Sequence, residues 1–192
     1  AVWKDAQGKT QQSALPAAKK KGIVLSAYLA PDAIQFTIKR QEDGGADYPS
    51  VTIVAQSQQQ MVYQAIANLS KSSGVRASIP LENIPTGIVQ VTVFSEENKP
   101  LAERILFVNH QDYYFITDLN SPVKNFAPRS KNVIQVDVPD TLVCNLSVAI
   151  TDLGVNPPQP GDQDIFSHLL VASDIKGYVH NPGYYFSSDA DS

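Results

Sequence analysis

The stretch IPTGIVQVTVFSEENKPLAERILFVN, residues 84–109, sets two apolar runs around a polar turn and places a charged pair, Glu103 and Arg104, inside the second run. Its first half alternates: apolar residues over 88–94 are interrupted at every other position by Gln90 and Thr92, the period of a half-buried strand. The second half does not alternate cleanly. Leu101, Glu103, Ile105 and Phe107 share one face, and Ala102, Arg104, Leu106 and Val108 the other. Each face carries one charge and at least two large apolar groups, which is the composition of a strand covered on both sides. The expectation is a hairpin whose run 105–108 is buried by its own sheet and by the following domain. Glu103 and Arg104, near the strand start, are expected to point to solvent rather than to act as a recognition pair.

Working outward, the same period recurs. AIQFTIKR (33–40) puts Ile34, Phe36 and Ile38 on one face and Gln35, Thr37 and Lys39 on the other. VTIVAQS (51–57) and MVYQAIAN (61–68) flank a short glutamine-rich turn, and VRASIP (75–80) alternates again. With GIVLSAYL (22–29) these make seven short strands at roughly ten-residue spacing. Pro31-Asp32, Asp43-Gly44-Gly45, Ser73-Gly74, Pro85-Thr86-Gly87 and Asn98-Lys99-Pro100 punctuate them. Such a series predicts an antiparallel β-sandwich with Phe36, Ile53 and Val91 in its core.

A second unit is expected after Asn109. HQDYYFITDL, NVIQVDV (132–138) and LVCNLSVAITD (142–152) read as extended, and GVNPPQPGDQD as a long loop. DIFSHLLVASDI is the one helix candidate, with Asp164 as cap and Ile165, Phe166, Leu169 and Leu170 at helical spacing; a buried strand or an irregular connector fits so short a run nearly as well. GYVHNPGYYF (177–186) is expected to be extended. At the other end VWKDAQGKTQQSAL reads as a hairpin turning at Gln7-Gly8, ahead of the lysine-rich AAKKKG. The fold class expected is therefore all-β, two Ig-like antiparallel sandwiches in tandem with few or no long helices. The divisions are 1–21, a trailing hairpin of an upstream domain or an N-terminal extension; 22–109, the first sandwich; and 110–192, the second, complete or cut short at its end. The opening AVWKDAQGK and the closing SSDADS read as the ends of a piece of a longer protein, with any signal peptide absent or removed.

Composition narrows the function classes. At 43% hydrophobic and 18% charged residues, the 192-residue chain can bury a core. A net charge of -4 argues against a broad nucleic-acid footprint. The single cysteine, Cys144, excludes an internal disulfide and a multi-cysteine zinc site, and no run reaches the roughly 20 apolar residues that span a bilayer.

At this point the residues carry a resemblance. PTGIVQVTVF with NKPLAERILFV, then FAPRSKNVIQVDV, then LSVAITD, is similar to the macroglobulin-type domains of alpha-2-macroglobulin-like proteins. In that family one domain closes on a G-x-x-x-x-T-x-F…G-x-P-x-A-E-R hairpin, and the next opens on an aromatic-x-Pro-Gly pattern. More narrowly, LSVAITD with LLVASDIKGYVHNPGYYF resembles large cell-envelope proteins of Bacteroidetes. Those also carry carboxypeptidase-regulatory-like and TonB-dependent-receptor plug domains. The resemblance covers roughly residues 15–186. It implies an exported, envelope-located, non-catalytic module whose partners are other domains of the same polypeptide, an envelope protein or a glycan. There are two departures. Phe126-Ala127-Pro128-Arg129 has arginine where the pattern has glycine, and the thioester sequence of complement-like members, Cys-Gly-Glu-Gln, is absent.

Nothing else in the chain spells out chemistry. His110, His168 and His180 lack the i, i+4 pairing that puts two imidazoles on one metal, and read as linker, helix-surface and turn residues. Asp152, Asp162 and Asp164 fit a solvated acidic loop better than a calcium loop. No G-x-S-x-G elbow occurs. Cys144 reads as a small core residue, and Asn68-Leu69-Ser70 and Asn145-Leu146-Ser147 as chance glycosylation matches. No catalytic, metal or cofactor-binding residue and no cofactor is therefore expected. The candidate surface is aromatic: Tyr113, Tyr114 and Phe115 after the first sandwich, and Tyr184, Tyr185 and Phe186, joined by Tyr178, near the end. Such rings either fill a seam between domains, the reading their positions favour, or form a platform for glycan or protein.

Overall fold

The computed structural model describes residues 1–17, 21–41, 47–114, 117–138, 143, 145–150, 154–155, 157 and 162–187. The chain divides into two compact units, Ala1–Val108 and Asn109–Ser192. It is an all-β protein built from antiparallel sheets.

The first unit opens on a small ribbon, β1 (Val2–Lys4) against β2 (Thr10–Gln12), turning at Gly8 as the sequence predicts. The Asp5 carboxylate holds this turn, accepting from the Gln7 and Lys9 backbone N–H groups and the Gln11 amide. Seven strands follow, one for each predicted run: β3 (Ile23–Leu29), β4 (Ala33–Arg40), β5 (Ser50–Ser57), β6 (Gln60–Asn68), β7 (Gly74–Pro80), β8 (Gly87–Ser95) and β9 (Pro100–Val108). They form a three-stranded sheet ordered β3-β4-β7 and a four-stranded sheet ordered β6-β5-β8-β9. The period-2 pattern then decides which side chains meet. Leu25, Ile34, Phe36, Ile38 and Ile79 of one sheet pack on Val51, Ile53, Ala55, Val89, Val91 and Val93 of the other. Phe36, Ile53 and Val91 are buried, as expected.

Large and small residues alternate across this core. On the inward face the Phe36 ring lies between Ala27 and Ala77 on its neighbouring strands, and meets the edge of Tyr63 from the opposite sheet at 6.4 Å. Arg40, at the end of β4, ties the two sheets together. Its Nε and Nη2 donate to the Leu69 carbonyl just beyond β6 at 3.1 and 2.8 Å, while the Leu69 N–H donates to the Pro49 carbonyl.

The hairpin of the 84–109 stretch is β8 and β9. Its turn is organised by Ser95, whose hydroxyl accepts from the Glu97 and Lys99 N–H groups while Asn98 takes a positive φ of 59°. The charged pair is split between faces. Glu103 stands outside opposite Thr92 and accepts from the Gln90 amide at 2.6 Å. Arg104 lies on the other face, opposite Val91, and donates to the Glu103 backbone carbonyl. Both are exposed. Coverage of the 105–108 run is less complete than the sequence suggests. Val108 is buried, Leu106 and Phe107 are half-buried, and Ile105 is 48% exposed. The reason is position: β9 is an edge strand, so its outward side chains have a neighbour on one side only.

Of the second sandwich expected over 110–192, the described residues contain one two-stranded ribbon, β10 (Asp118–Val123) with β11 (Val133–Asp137). Residues 145–150, within a run read as a strand, are exposed and belong to no ladder. From Asp164 onward the backbone is helical in short pieces: α1 (Ile165–Ser167), a π-helical turn over His168–Ala172 and a 3-10 turn over Pro182–Phe186. The extended reading of 177–186 is thereby corrected. Asn181 takes a left-handed φ of 49°, and Pro182, with φ already fixed and no N–H to give a ladder, starts a turn instead.

Candidate functional site

Three local devices bring the aromatic residues of the second unit together. Ahead of Tyr113 and Tyr114, the Asn109 side chain accepts from the Gln111 N–H and closes a tight turn in which Gln111 has a φ of 56°. Asp164 caps α1 as predicted. Its carboxylate accepts from the Ser167 N–H and hydroxyl, and Ser167 returns a bond from the Asp164 N–H, a reciprocal capping box. The Asn181-Pro182 turn then coils Tyr184, Tyr185 and Phe186 into the 3-10 segment.

The result is a four-ring cluster. Tyr113 packs against Tyr114 with the rings tilted at 39° and 4.6 Å between centroids, lies 5.1 Å from Phe166, and meets Phe186 edge-on at 5.4 Å. Tyr114 in turn reaches Phe166 at 5.5 Å. Pairs of this geometry contribute about 0.5–1.5 kcal/mol each beyond area burial. Burial pushes the Tyr113 phenol above its ordinary pKa, with hydrogen bonding to Tyr114 adding to the effect. The two aromatic groups singled out from the sequence thus meet inside one unit. Tyr184 and Tyr185 contact each other at 6.0 Å, while Phe115 lies outside the described residues. Phe166 was not among the candidates. Its sequence signals were its place two residues after the cap and its helical spacing with Leu169 and Leu170, and nothing in the sequence shows that Tyr113, some fifty residues earlier, folds onto it.

Beside the cluster is an open cleft of ≈ 630 Å³ lined by Asp162, Gln163, His168, Tyr178, His180 and Asn181 among others. The Gln163 amide nitrogen is 3.1 Å from His168 Nδ1, and the Tyr178 ring, 88% exposed, is 6.4 Å from that of His180. Planar amides, two imidazoles, a carboxylate and a bare phenol ring give this cleft hydrogen-bonding edges and one stacking face. His168 and His180 are the helix-surface and turn residues expected, now on one rim. Among the described residues no three histidine, cysteine or acidic side chains are grouped to hold a metal ion. Asp164, weighed for calcium, spends its carboxylate on the helix cap; Asp152 and Cys144 lie outside the described residues. Among the described residues, no helix is long and apolar enough to cross a membrane.

One further turn bears on the family pattern. Between β10 and β11 the chain reads Ala127-Pro128-Arg129-Ser130, with the Ser130 N–H donating to the Ala127 carbonyl at 3.1 Å and Arg129 at a φ of 60°. That is proline second and a left-handed residue third, the arrangement of a type II turn that ordinarily selects glycine. No protein-family model, curated protein or solved structure matches the chain.

Proposed function

We propose that the chain is a non-catalytic structural and interaction module, a macroglobulin-type, Ig-like piece of a larger exported cell-envelope protein associated with TonB-dependent uptake. The observation that carries the reading is the turn at Arg129. The resemblance calls for aromatic-x-Pro-Gly, and although arginine replaces glycine, the backbone keeps the conformation in which glycine is at ease. The three-plus-four sandwich closing on the β8–β9 hairpin supports the same reading. So do rings that pack on one another, Phe166 and Phe186 on helical turns, rather than standing out along a flat sheet face.

The test is cellular. An antiserum against the chain should detect, in the source organism, a polypeptide much larger than this one in the outer-membrane or periplasmic fraction. A band confined to the cytoplasm overturns the proposal.

A second reading, a glycan-binding module, rests on the cleft alone. It requires neutral oligosaccharides to bind with the Tyr178→Ala variant losing at least tenfold in affinity. A calorimetric titration with no heat from the parent protein removes it.

A further inference from the structure

The sandwich has four strand edges, and three are blunted. β3 lies against β9 across the open side of the sandwich, β7 carries Arg76 and ends at Pro80, and β9 begins at Pro100 and carries Glu103 and Arg104. Charge and proline are the usual means by which sheets discourage unwanted strand pairing. β6 has neither. Its nine residues, QMVYQAIAN, include no charge, no proline and no glycine, and among the described residues no strand pairs with its outer edge. Its outward side chains are unusually apolar for an edge, with Met61 60% and Ile66 74% exposed.

We infer that this edge pairs with the same edge of a second copy of the chain, extending the four-stranded sheet across a two-fold axis. The register follows from the side-chain faces. The pairing with β5 slips between Ala55 and Gln56, so Val62 is bulged and only Tyr63 onward runs regularly. In an antiparallel pair, residues directly opposite must share a face, so within this window the axis falls on a residue and not between two. Centring on Ile66 sets Ile66 against its own copy, Ala65 against Ala67, and Gln64 against Asn68. Centring on Ala65 would set Gln64 against Ile66 and leave the isoleucine beside an amide. The Ile66 register is the self-complementary one. Asn68, whose Oδ1 already accepts from the Ser70 N–H, keeps its amide nitrogen for the facing Gln64.

Charge chooses the second copy as occupant. A strand without charge meets its own copy with no like charges opposed, whereas a partner carrying lysine or glutamate in the pairing register would find no counter-charge here. The net charge of -4 on each copy opposes approach at long range, so association should strengthen as salt rises. A five-residue ladder covers far less than a standard interface of roughly 1,600 Å², so the dimer is a weak one, formed at high micromolar concentration.

Sedimentation equilibrium of a Cys144→Ser background, from about 10 μM to 1 mM, should show the average mass climbing toward twice the monomer value. Ile66→Lys, an exposed change checked for an unaltered circular-dichroism spectrum, should remain a monomer, and so should Ile66→Glu. An equimolar mixture of the two should recover the dimer, because the opposite charges then face each other across the axis. Ile66→Cys should form a disulfide-linked dimer at least tenfold faster than Val24→Cys, a position on the other sheet that is also more than half exposed. A parent protein monomeric throughout, an Ile66→Lys variant that associates like the parent, a mixture that stays monomeric, or equal cross-linking from Val24 would each overturn the inference. A monomeric parent that instead binds an added strand peptide also overturns it.

Discussion

Phe36 shows how much of the core rests on one side chain. It is 1% exposed, and its space is made by Ala27 and Ala77 on either side and the Tyr63 ring across the interior. Truncation leaves a void that two alanines cannot fill, so Phe36→Ala should cost about 3–5 kcal/mol in denaturant unfolding. A loss under about 1 kcal/mol would mean that the ring is not packed as described. Tyr113 answers to pH instead. Its phenol is an acid whose folded pKa lies above the unfolded one, chiefly through burial, so its contribution is intact below about pH 10 and is lost as pH rises through the folded value. Ultraviolet titration should resolve a tyrosine ionising later than the ordinary phenols, and Tyr113→Phe should remove that phase. An unchanged titration would contradict the burial of this ring.

At the scale of elements, left-handed residues that are not glycine sit in several turns, the β5–β6 and β10–β11 connections among them. Ser57 pairs with Gln60 across a two-residue loop, and Gln58 and Gln59 take φ of 49° and 63°, the primed turn that joins strands of natural twist. Asn-Gly suits this turn better, so replacing Gln58-Gln59 with Asn-Gly should raise stability by about 1 kcal/mol. A fall would show that the weak bond from the Gln58 amide to the Thr86 carbonyl outweighs the backbone term. Arg129→Gly should likewise protect the β10–β11 ribbon, read as slower exchange of the Ser130 amide, which donates across that turn. Faster exchange would argue that Arg129 is held by its side chain.

The whole molecule divides unevenly. Nearly all the buried apolar side chains among the described residues belong to the first unit; the second contributes Val171, and Ser167 and Pro182 are also buried there. Two-stranded ribbons are marginal alone, and a small core gives little against chain entropy. Expressed separately, residues 22–110 should melt cooperatively with a β-rich circular-dichroism spectrum, and residues 111–192 should show no sharp transition. A cooperative melt of the second piece alone would show a larger core than the described residues contain.

The sequence by itself determined the first sandwich. Alternation over 33–40, 75–80 and 88–94, and β-branched or aromatic runs between turn residues elsewhere, place the strands, and where the pattern alternates it chooses the inward face, because side chains on a strand alternate whatever the strand pairs with. It also determined the Gln7-Gly8 turn and the Asp164 cap, which rest on residues within a few positions of one another. Tertiary structure decided what depends on distant neighbours. That β5 lies between β6 and β8, that Glu103 and Arg104 part to opposite faces, and that β9 is an edge with Ile105 half in water follow from strand order, which no local pattern encodes. The 177–186 segment lies between these cases. Asn181-Pro182-Gly183 was a legible turn signal, but the aromatic residues after it read equally well as strand until Tyr113 supplied a partner for Phe186 from elsewhere in the chain.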